Sequence, residues 1–258
     1  MALDKDELDR YARHILLREI GGPGQQALKR AKIAIVGMGG LGAPAALYLA
    51  AAGVGTLRLI DHDAVSISNL QRQILYRTKD VTTPKVESAK HSLAALNPHV
   101  AIETNAVKLT HDNARALLNG VDLVLDGTDD FSVRFAVNAA CHDLGITLVS
   151  GAVGRWDGQL GVFKSGRTKA KPQNERLPCY QCLVPEEPPM SEPCSLVGVV
   201  GALTGVIGSL MALEAIKEIT DAGQSLAGRL MIFDGLAGEG RTVKLPADPD
   251  CPICGAHE

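Results

Sequence analysis

Short apolar runs alternate along the chain with amphipathic or alanine-rich stretches, which is the pattern of alternating strands and helices. Residues 33–36 are apolar and rich in β-branched side chains, as in a buried parallel strand. Residues 43–52 favour a helix, which Gly53 and Gly55 end before the next apolar run at 56–60. This stretch predicts a strand-helix-strand unit.

The alternation continues to about residue 150 and then changes. Up to that point it predicts helices at 6–18, 25–30, 86–96, 112–118 and 131–144, and further strands at 101–106, 121–125 and 147–150. Residues 21–24, rich in glycine and proline, are expected to separate the first two helices. Beyond 150 we predict strands at 158–163, 230–234 and 242–245, with loops at 164–178 and 186–189.

These elements predict an α/β fold, a doubly wound Rossmann-like and mainly parallel sheet with an antiparallel C-terminal extension. We expect an N-terminal helical segment at 1–30, a Rossmann-like nucleotide-binding region at 31–150, and a C-terminal part of the same domain at 151–258. Residues 195–213 carry no charge and approach the length of a membrane span, but their small and polar residues favour a buried, closely packed helix instead.

Composition narrows the class of partner. The net charge of -3 and the 3% of aromatic residues give no basic or base-stacking surface, so we expect neither nucleic acid nor a membrane as a partner. The N-terminus is acidic and lacks the apolar core of a signal peptide, which indicates a cytoplasmic protein.

The first strand leads into a glycine loop with Gly37, Gly39, Gly40 and Gly42, and the second strand ends at Asp61. A glycine loop before a helix lets backbone N–H groups approach phosphate closely, and an acid about 20 residues later is suited to a ribose. The pattern does not by itself separate a dinucleotide from a mononucleotide.

A polar segment follows the ribose acid where a nicotinamide enzyme would usually continue with another apolar unit. It comprises Ser68, Asn69, Leu70, Gln71, Arg72 and Gln73, and Lys85 comes after it. Arg72 and Lys85 carry more positive charge than the pyrophosphate bridge of a dinucleotide requires. They suit a triphosphate, and they could stabilise the charge that develops on a leaving pyrophosphate. Alternatively, both are solvated loop charges. Asp129, after the strand at 121–125, is expected at the same sheet edge as Asp61.

The cysteines form a second signal. Two Cys-x-x-Cys pairs, at 179–182 and 251–254, could complete the tetrahedral thiolate shell of a structural Zn²⁺, and two redox-active dithiols or disulfides are the alternative. Cys141 is expected in the core. Cys194 precedes the uncharged helix, whose dipole would lower its thiol pKa, although the sequence taken alone favours an inert thiol there.

Taken together, these residues resemble the adenylylating enzymes of the MoeB/ThiF/HesA family, bacterial relatives of ubiquitin-activating enzymes. The resemblance covers essentially the whole chain. It is carried by Arg10-Tyr11 and Arg13, the glycine loop, Asp61, residues 68–73, Pro84-Lys85-Val86, Asp126-Gly127-Thr128-Asp129 and both cysteine pairs.

The resemblance implies an adenylyltransferase that uses ATP, Mg²⁺ and Zn²⁺. It implies that ATP and its metal contact Gly37, Gly39, Gly40, Gly42, Asp61, Asp63, Ser68, Asn69, Leu70, Gln71, Arg72, Gln73, Lys85, Asp129 and Asp130. The catalytic set would be Arg13, Arg72, Lys85 and Asp129, with Asp129 near Mg²⁺ and Cys194 in a covalent sulfur-transfer role. Zinc would be held by Cys179, Cys182, Cys251 and Cys254.

The implied reaction is adenylylation of the C-terminal glycine carboxylate of a small ubiquitin-like sulfur carrier ending in Gly-Gly. The resemblance further implies a homodimer in which Arg13 reaches the partner's site, and we expect sulfur to come from a separate donor. The carrier and its pathway, molybdopterin, thiamin or a related route, stay open. An NAD-dependent Rossmann oxidoreductase and a tRNA-modifying dehydratase of the same superfamily are the alternatives.

Overall fold

The computed structural model describes residues 3–188 and 198–255 of the chain. Helices surround a central sheet and follow the chain in this order: α1 (Lys5–Arg10), α2 (Ala12–Ile15), α3 (Gly21–Arg30), α4 (Gly42–Ala51), α5 (Lys85–Leu96), α6 (His111–Leu118), α7 (Phe131–Leu144), α8 (Ser165–Thr168), α9 (Tyr180–Leu183) and α10 (Gly201–Thr220). Short 3₁₀ turns lie at Ile67–Asn69, Thr78–Asp80 and Gln173–Glu175.

Within the described residues, the strands form one eight-stranded sheet in the order β3-β2-β1-β4-β5-β6-β7-β8. Its strands are β1 (Lys32–Val36), β2 (Thr56–Ile60), β3 (Ala101–Asn105), β4 (Leu123–Asp126), β5 (Thr147–Gly154), β6 (Asp157–Phe163), β7 (Arg229–Asp234) and β8 (Glu239–Lys244). The pairs from β3 to β5 are parallel and those from β5 to β8 are antiparallel. The order reverses at β1, so a crevice opens at the carboxyl ends of β1 and β4.

Each face of the sheet packs against helices, because successive strand side chains point to opposite faces. In β1, Ile33 and Ile35 belong to a core with α4, α5 and α10, whereas Ala34 and Val36 belong to a core with α6 and α7. This double coverage explains why residues 33–36 of β1 and 123–125 of β4 are continuously apolar in sequence.

The α/β class, the mainly parallel sheet and the antiparallel extension are confirmed. The proposed division at residue 150 stays a prediction, and β5 runs across that position without a break.

Three local predictions were wrong. The stretch predicted as one helix at 6–18 is two short helices, α1 and α2, with Tyr11 between them. The predicted separator at 21–24 is the first turn of α3, where Pro23 is tolerated because N–H groups of a first turn have no partner within the helix. The predicted loop at 164–178 contains α8 and a 3₁₀ turn.

Residues 201–213 of the uncharged segment belong to α10, which packs against α4, β5 and β6. Among the residues that the structure describes, no helix is both long enough and apolar enough to span a membrane.

Candidate nucleotide-binding site and cysteine cluster

The glycine loop turns sharply between β1 and α4. Gly37 has φ +85°, and a side chain there would begin 3.0 Å from the backbone nitrogen of Thr128. A Cβ on Gly42 would lie 1.9 Å from the carbonyl oxygen of Gly37, so only glycine fits at this position. The loop is therefore folded tightly enough to present backbone N–H groups at the start of a helix, which is a geometry that binds anions.

Asp61, at the end of β2, is held beside this loop. Its Oδ2 accepts a hydrogen bond from the Met38 backbone N–H at 2.7 Å, and its Oδ1 accepts one from the Asp63 N–H at 2.8 Å. The Tyr76 hydroxyl donates to the Met38 carbonyl oxygen at 2.8 Å. A carboxylate has further lone pairs, so Asp61 can still accept hydrogen bonds from a ribose.

Lys85 lies next to both acids and is buried. Its Nζ is 2.7 Å from Asp63 Oδ2 and 3.8 Å from Asp61 Oδ2. Burial tends to raise the pKa of Asp63, but the hydrogen bond and charge of Lys85 outweigh it, so the pKa lies below its usual value. The site thus keeps an ionised acid and an ammonium group together.

The polar segment at 68–73 is folded over the same edge. It begins in the 3₁₀ turn, and Arg72 Nη1 donates to the Ser68 carbonyl oxygen at 3.2 Å. Leu70 packs against the core that the sheet shares with α4, α5 and α10, and this contact anchors the segment. Gln73 is buried beside Gly39, and its Oε1 has no hydrogen-bond partner among the described residues. A buried amide oxygen without a hydrogen-bond partner costs free energy.

The first turns of α10 position this segment, a role that no motif in the sequence indicates. Thr204 Oγ1 contacts the Arg72 carbonyl oxygen at 3.3 Å, and a Cβ on Gly40 would lie 3.1 Å from Thr204 Cβ. A side chain on Gly201 would clash with the Gln71 carbonyl oxygen. The small residues of this helix therefore let it press against both the glycine loop and the polar segment.

The loop after β4 carries two acids with different environments. Asp129 is exposed, and its carboxylate makes no hydrogen bond or ion pair in the described parts of the chain. Asp130 caps α7 by accepting from the Ser132 and Val133 N–H groups and pairs with Lys108 at 2.8 Å. Partial burial raises the pKa of Asp130, but the hydrogen bonds from Lys108, Ser132 and Val133 lower it to about 2. Asp129 is therefore the acid left available for a metal.

Arg134, in α7, holds this loop in place, and the sequence did not predict this role. Its buried guanidinium donates to the Thr128 carbonyl oxygen, to the Gly151 carbonyl oxygen at 2.8 Å and to Ser150 Oγ at 3.0 Å. It lies 3.4 Å from Asp126 Oδ2. Burial raises the pKa of Asp126, and the charge of Arg134 opposes that rise. No sequence motif marks this role, because its acceptors are distant backbone atoms.

Arg13 lies on α2, away from the other predicted site residues. Neighbouring Tyr11 and α3 contact the carboxyl end of α4, through Tyr11 packed against Gly53 and Gln25 donating to the Ala52 carbonyl oxygen. The glycine loop is at the opposite end of α4, roughly 15 Å along a ten-residue helix. Arg13 is exposed and makes no ion pair within residues 3–188 and 198–255.

The two cysteine pairs meet in a single cluster. The four sulfurs of Cys179, Cys182, Cys251 and Cys254 lie within 4.8 Å of one another. Two sulfur contacts run between the pairs, 3.5 Å from Cys179 to Cys251 and 3.3 Å from Cys182 to Cys254, and all four thiols are free. Four converging thiols fit a tetrahedral structural zinc site, and leave no protein-derived position open for a catalytic water.

The cluster connects to the sheet edge through Tyr180. Its backbone N–H donates to Asn138 Oδ1 at 2.8 Å, and its ring lies 5.6 Å from the Arg134 guanidinium carbon. Cys141 is buried in the core as predicted. Cys194, predicted as a candidate for covalent sulfur transfer, lies outside the described residues.

Comparison with known proteins matches residues 11–253 to the ThiF family model. The chain belongs to the ThiF family. It is 45% identical over 257 residues to a sulfur carrier protein adenylyltransferase of Thermus thermophilus, covering 99% of this chain and 93% of that protein. It is 44% identical over 253 residues to a molybdopterin-synthase adenylyltransferase of Salmonella typhimurium, covering 98% of each.

The fold agrees with this membership. A crystal structure of E. coli MccB with ATP superposes with a TM-score of 0.81 over 96% of this chain and 75% of that chain, at 22% identity. The family resemblance inferred from the motifs is confirmed, and membership in the ThiF family does not favour the NAD-dependent oxidoreductase or the tRNA-modifying dehydratase. The roles of individual site residues stay predictions.

Proposed function

We propose that this ThiF-family protein adenylylates the C-terminal glycine carboxylate of a small ubiquitin-like sulfur carrier and releases pyrophosphate. The observation that carries the proposal is its near full-length similarity to enzymes named for this activity. The glycine loop, the ribose acid and the cationic polar segment at one sheet edge are consistent with it.

The chemistry needs little proton transfer. The carrier's carboxylate oxygen attacks the α-phosphorus of ATP, the bond from that phosphorus to the bridging oxygen breaks, and pyrophosphate leaves with the electron pair. The carboxylate is ionised at neutral pH, so the barrier lies mainly in aligning two anions and neutralising their charge. Cations at the site would therefore contribute most of the catalysis.

Different residues of the site would bind different parts of ATP. In our proposal the N–H groups of Gly37, Gly39, Gly40 and Gly42 face the phosphates and Asp61 accepts from the ribose hydroxyls. Arg72 and Lys85, with the amides of Asn69 and Gln73, surround the phosphates. Asp129 would hold a Mg²⁺ ion, which when bound neutralises phosphate charge.

Arg13 would serve the site of a second copy. It lies near the carboxyl end of α4, whereas the glycine loop of the same chain is at the amino end. A homodimer that brings this exposed arginine to the partner's phosphates would use a cation that has no ion pair within the described part of its own chain.

Zinc in the four-cysteine cluster would be structural. In our proposal Cys194 would form a covalent link to the carrier during sulfur transfer, and a separate protein would donate the sulfur. The carrier belongs to molybdopterin, thiamin or a related sulfur pathway.

The experiment combines purified protein, ATP, Mg²⁺ and candidate carriers ending in Gly-Gly, and weighs each carrier by intact mass spectrometry. We expect one carrier to gain AMP and to stimulate exchange of pyrophosphate into ATP. The control is the same carrier with a C-terminal amide, which has no attacking carboxylate and should gain nothing. Calorimetry showing NAD binding but no ATP binding would contradict the proposal.

A further inference from the structure

Asn138 is a buried polar residue of α7 that the proposed reaction does not use. It is 2% exposed and lies one turn after Arg134 on the same helix. A buried amide needs an acceptor for its nitrogen and a donor for its oxygen, because an unmade hydrogen bond costs free energy. For Asn138 both partners lie in the first Cys-x-x-Cys pair, at 179–182.

The two contacts fix the direction of the Asn138 amide. The Tyr180 backbone N–H donates to Asn138 Oδ1 at 2.8 Å, so this end of the amide is the acceptor. The other end, Nδ2, faces Cys179 and lies 3.5 Å from its sulfur, within hydrogen-bonding distance for that element. Turning the amide over would place Nδ2 against the Tyr180 N–H, two donors with no acceptor between them. Asn138 therefore presents an N–H group to the Cys179 sulfur.

A donor at this position suits a sulfur that carries negative charge. Four thiolates around one Zn²⁺ ion leave an excess of negative charge. Cys179 and Cys251 are fully buried, so water solvates little of that charge and N–H groups of the protein must offset it. The Asp248 backbone N–H supplies a second such contact, 3.4 Å from the Cys182 sulfur. Both sulfurs of the first pair thus accept a hydrogen bond from outside the cluster.

We infer that Asn138 is a positioning residue of the zinc site, whose amide donates to the metal-bound sulfur of Cys179 and thereby orients that ligand and strengthens zinc binding. Partners that hold metal ligands in this way typically change metal affinity by about 10- to 100-fold. The inference rests on the zinc proposed for the cluster and is independent of the proposed adenylylation.

Asn138→Asp tests the contact to sulfur. Aspartate keeps an oxygen that accepts from the Tyr180 N–H, but replaces the donor to Cys179 with a second oxygen. We expect zinc affinity, measured on the full chain by competition with a chromophoric chelator, to fall about tenfold or more. Unchanged zinc affinity in folded Asn138→Asp contradicts the inference.

Asn97→Asp is the matched control. Asn97 is also a fully buried asparagine, and its Nδ2 donates to the Tyr11 hydroxyl and the Ala50 carbonyl oxygen, neither of which belongs to the cysteine cluster. This variant should lose stability and keep the wild-type zinc affinity. An equal loss of zinc affinity in both variants would show that the effect comes from general destabilisation, and would overturn the inference.

A spectroscopic measurement reports on the metal ligands themselves. Cadmium-113 takes the place of zinc, and its NMR resonance depends on the electron density of the sulfurs that bind it. The resonance should move in Asn138→Asp and stay in place in Asn97→Asp, a difference that destabilisation alone would not produce. The same resonance position in all three proteins contradicts a contact between Asn138 and a ligand sulfur.

The wild-type protein provides a test that needs no variant to fold. The side-chain amide protons of Asn138 should shift when cadmium replaces zinc, whereas those of Asn97 should not. An Asn138 amide that does not respond to the exchange of metal overturns the inference. A wild-type protein that binds no zinc overturns it together with the zinc site, while adenylylation is decided separately by the mass of the carrier.

Discussion

Lys85 carries a buried charge beside two acids at the carboxyl edge of the sheet. A buried ammonium group is stable only when it is paired, and here Asp63 at 2.7 Å and Asp61 at 3.8 Å supply the pairing. If ATP binds here, its phosphates would compete with Asp63 for the same ammonium group. The ion pair therefore holds Lys85 in place before a nucleotide arrives.

Lys85→Met tests this role. We expect carrier-stimulated ATP/pyrophosphate exchange to fall by about 100-fold or more, the scale seen when one preorganised electrostatic contact is removed. Lys90→Met, on the exposed side of the same helix, is the matched control and should stay near the wild-type rate. Similar rates in both variants, with unfolding midpoints unchanged, would exclude Lys85 from catalysis.

Asp129 and Cys194 separate two proposed steps. Asp129→Asn should abolish exchange, because it removes the charge proposed to hold Mg²⁺, whereas Cys194→Ala should retain exchange, since adenylylation forms no bond to a thiol. Exchange kinetics over a range of Mg²⁺ concentrations provide the measurement. Loss of exchange in correctly folded Cys194→Ala would refute this division.

At this scale the sequence predicts residues that belong to local motifs and misses those that act through distant contacts. Asp61 could be placed because it follows a strand at a set distance from the glycine loop. Thr204 and Arg134 could not, since their partners are backbone atoms far away along the chain, such as the Arg72 and Gly151 carbonyl oxygens. The pattern of side chains in a sequence does not indicate which distant backbone oxygens will accept such hydrogen bonds.

At the scale of elements, α7 shows how a helix end shapes the site. Asp130 caps the helix and pairs with Lys108, so its carboxylate is occupied, whereas the carboxylate of the preceding Asp129 makes no hydrogen bond or ion pair within the described residues. The family resemblance implies that both residues contact the nucleotide or its metal, and that assignment stays a prediction. The helix cap explains why their environments differ.

The cap yields a stability prediction with a defined pH dependence. Asp130→Ala should destabilise the protein by about 1 kcal/mol at neutral pH, whereas Asp130→Asn should cost less because asparagine also caps helices well. The lowered pKa means that the charge stabilises the fold above the ordinary value of 3.8, and that this contribution is lost as pH falls toward about 2.

Urea unfolding of both variants between neutral pH and the acid range measures this effect. The difference between wild type and Asp130→Asn should shrink as pH falls through that window. A difference that stays constant over the window would show that the charge of Asp130 does not stabilise the fold.

Element boundaries follow from local chemistry only in part. The strand at Thr56–Ile60 and the helix at Phe131–Leu144 were predicted with the observed bounds. The helix predicted at 6–18 was wrong because Asp4 and Glu7 form a capping box that begins α1 early, and the chain leaves that helix at Tyr11, whose side chain is buried against Gly53. Tertiary packing, which periodicity does not report, decides such breaks.

At the scale of the molecule, the sheet joins two parts that look different in sequence. The glycine loop and Asp129 lie on the parallel half, while the cysteine cluster and β6 to β8 follow the change of pattern at 150. Tyr180 bridges them: it belongs to the cysteine cluster's own helix and stacks beside Arg134, which holds the Thr128 carbonyl oxygen next to Asp129. The spacing of the cysteines predicted the cluster, but not this connection to the candidate active site.

Zinc removal tests whether the cluster stabilises this connection. We expect one Zn²⁺ per chain by elemental analysis, and expect a strong chelator to lower the unfolding temperature, because metal binding contributes directly to folding free energy. Cys254→Ser should have the same effect, whereas Cys141→Ser, which alters a buried core thiol outside the cluster, should keep its zinc.

Exchange activity should fall with zinc loss even below the unfolding temperature, since Tyr180 would no longer hold Arg134 firmly. A metal-free protein with two disulfides, unaffected by the chelator, would instead support the redox alternative.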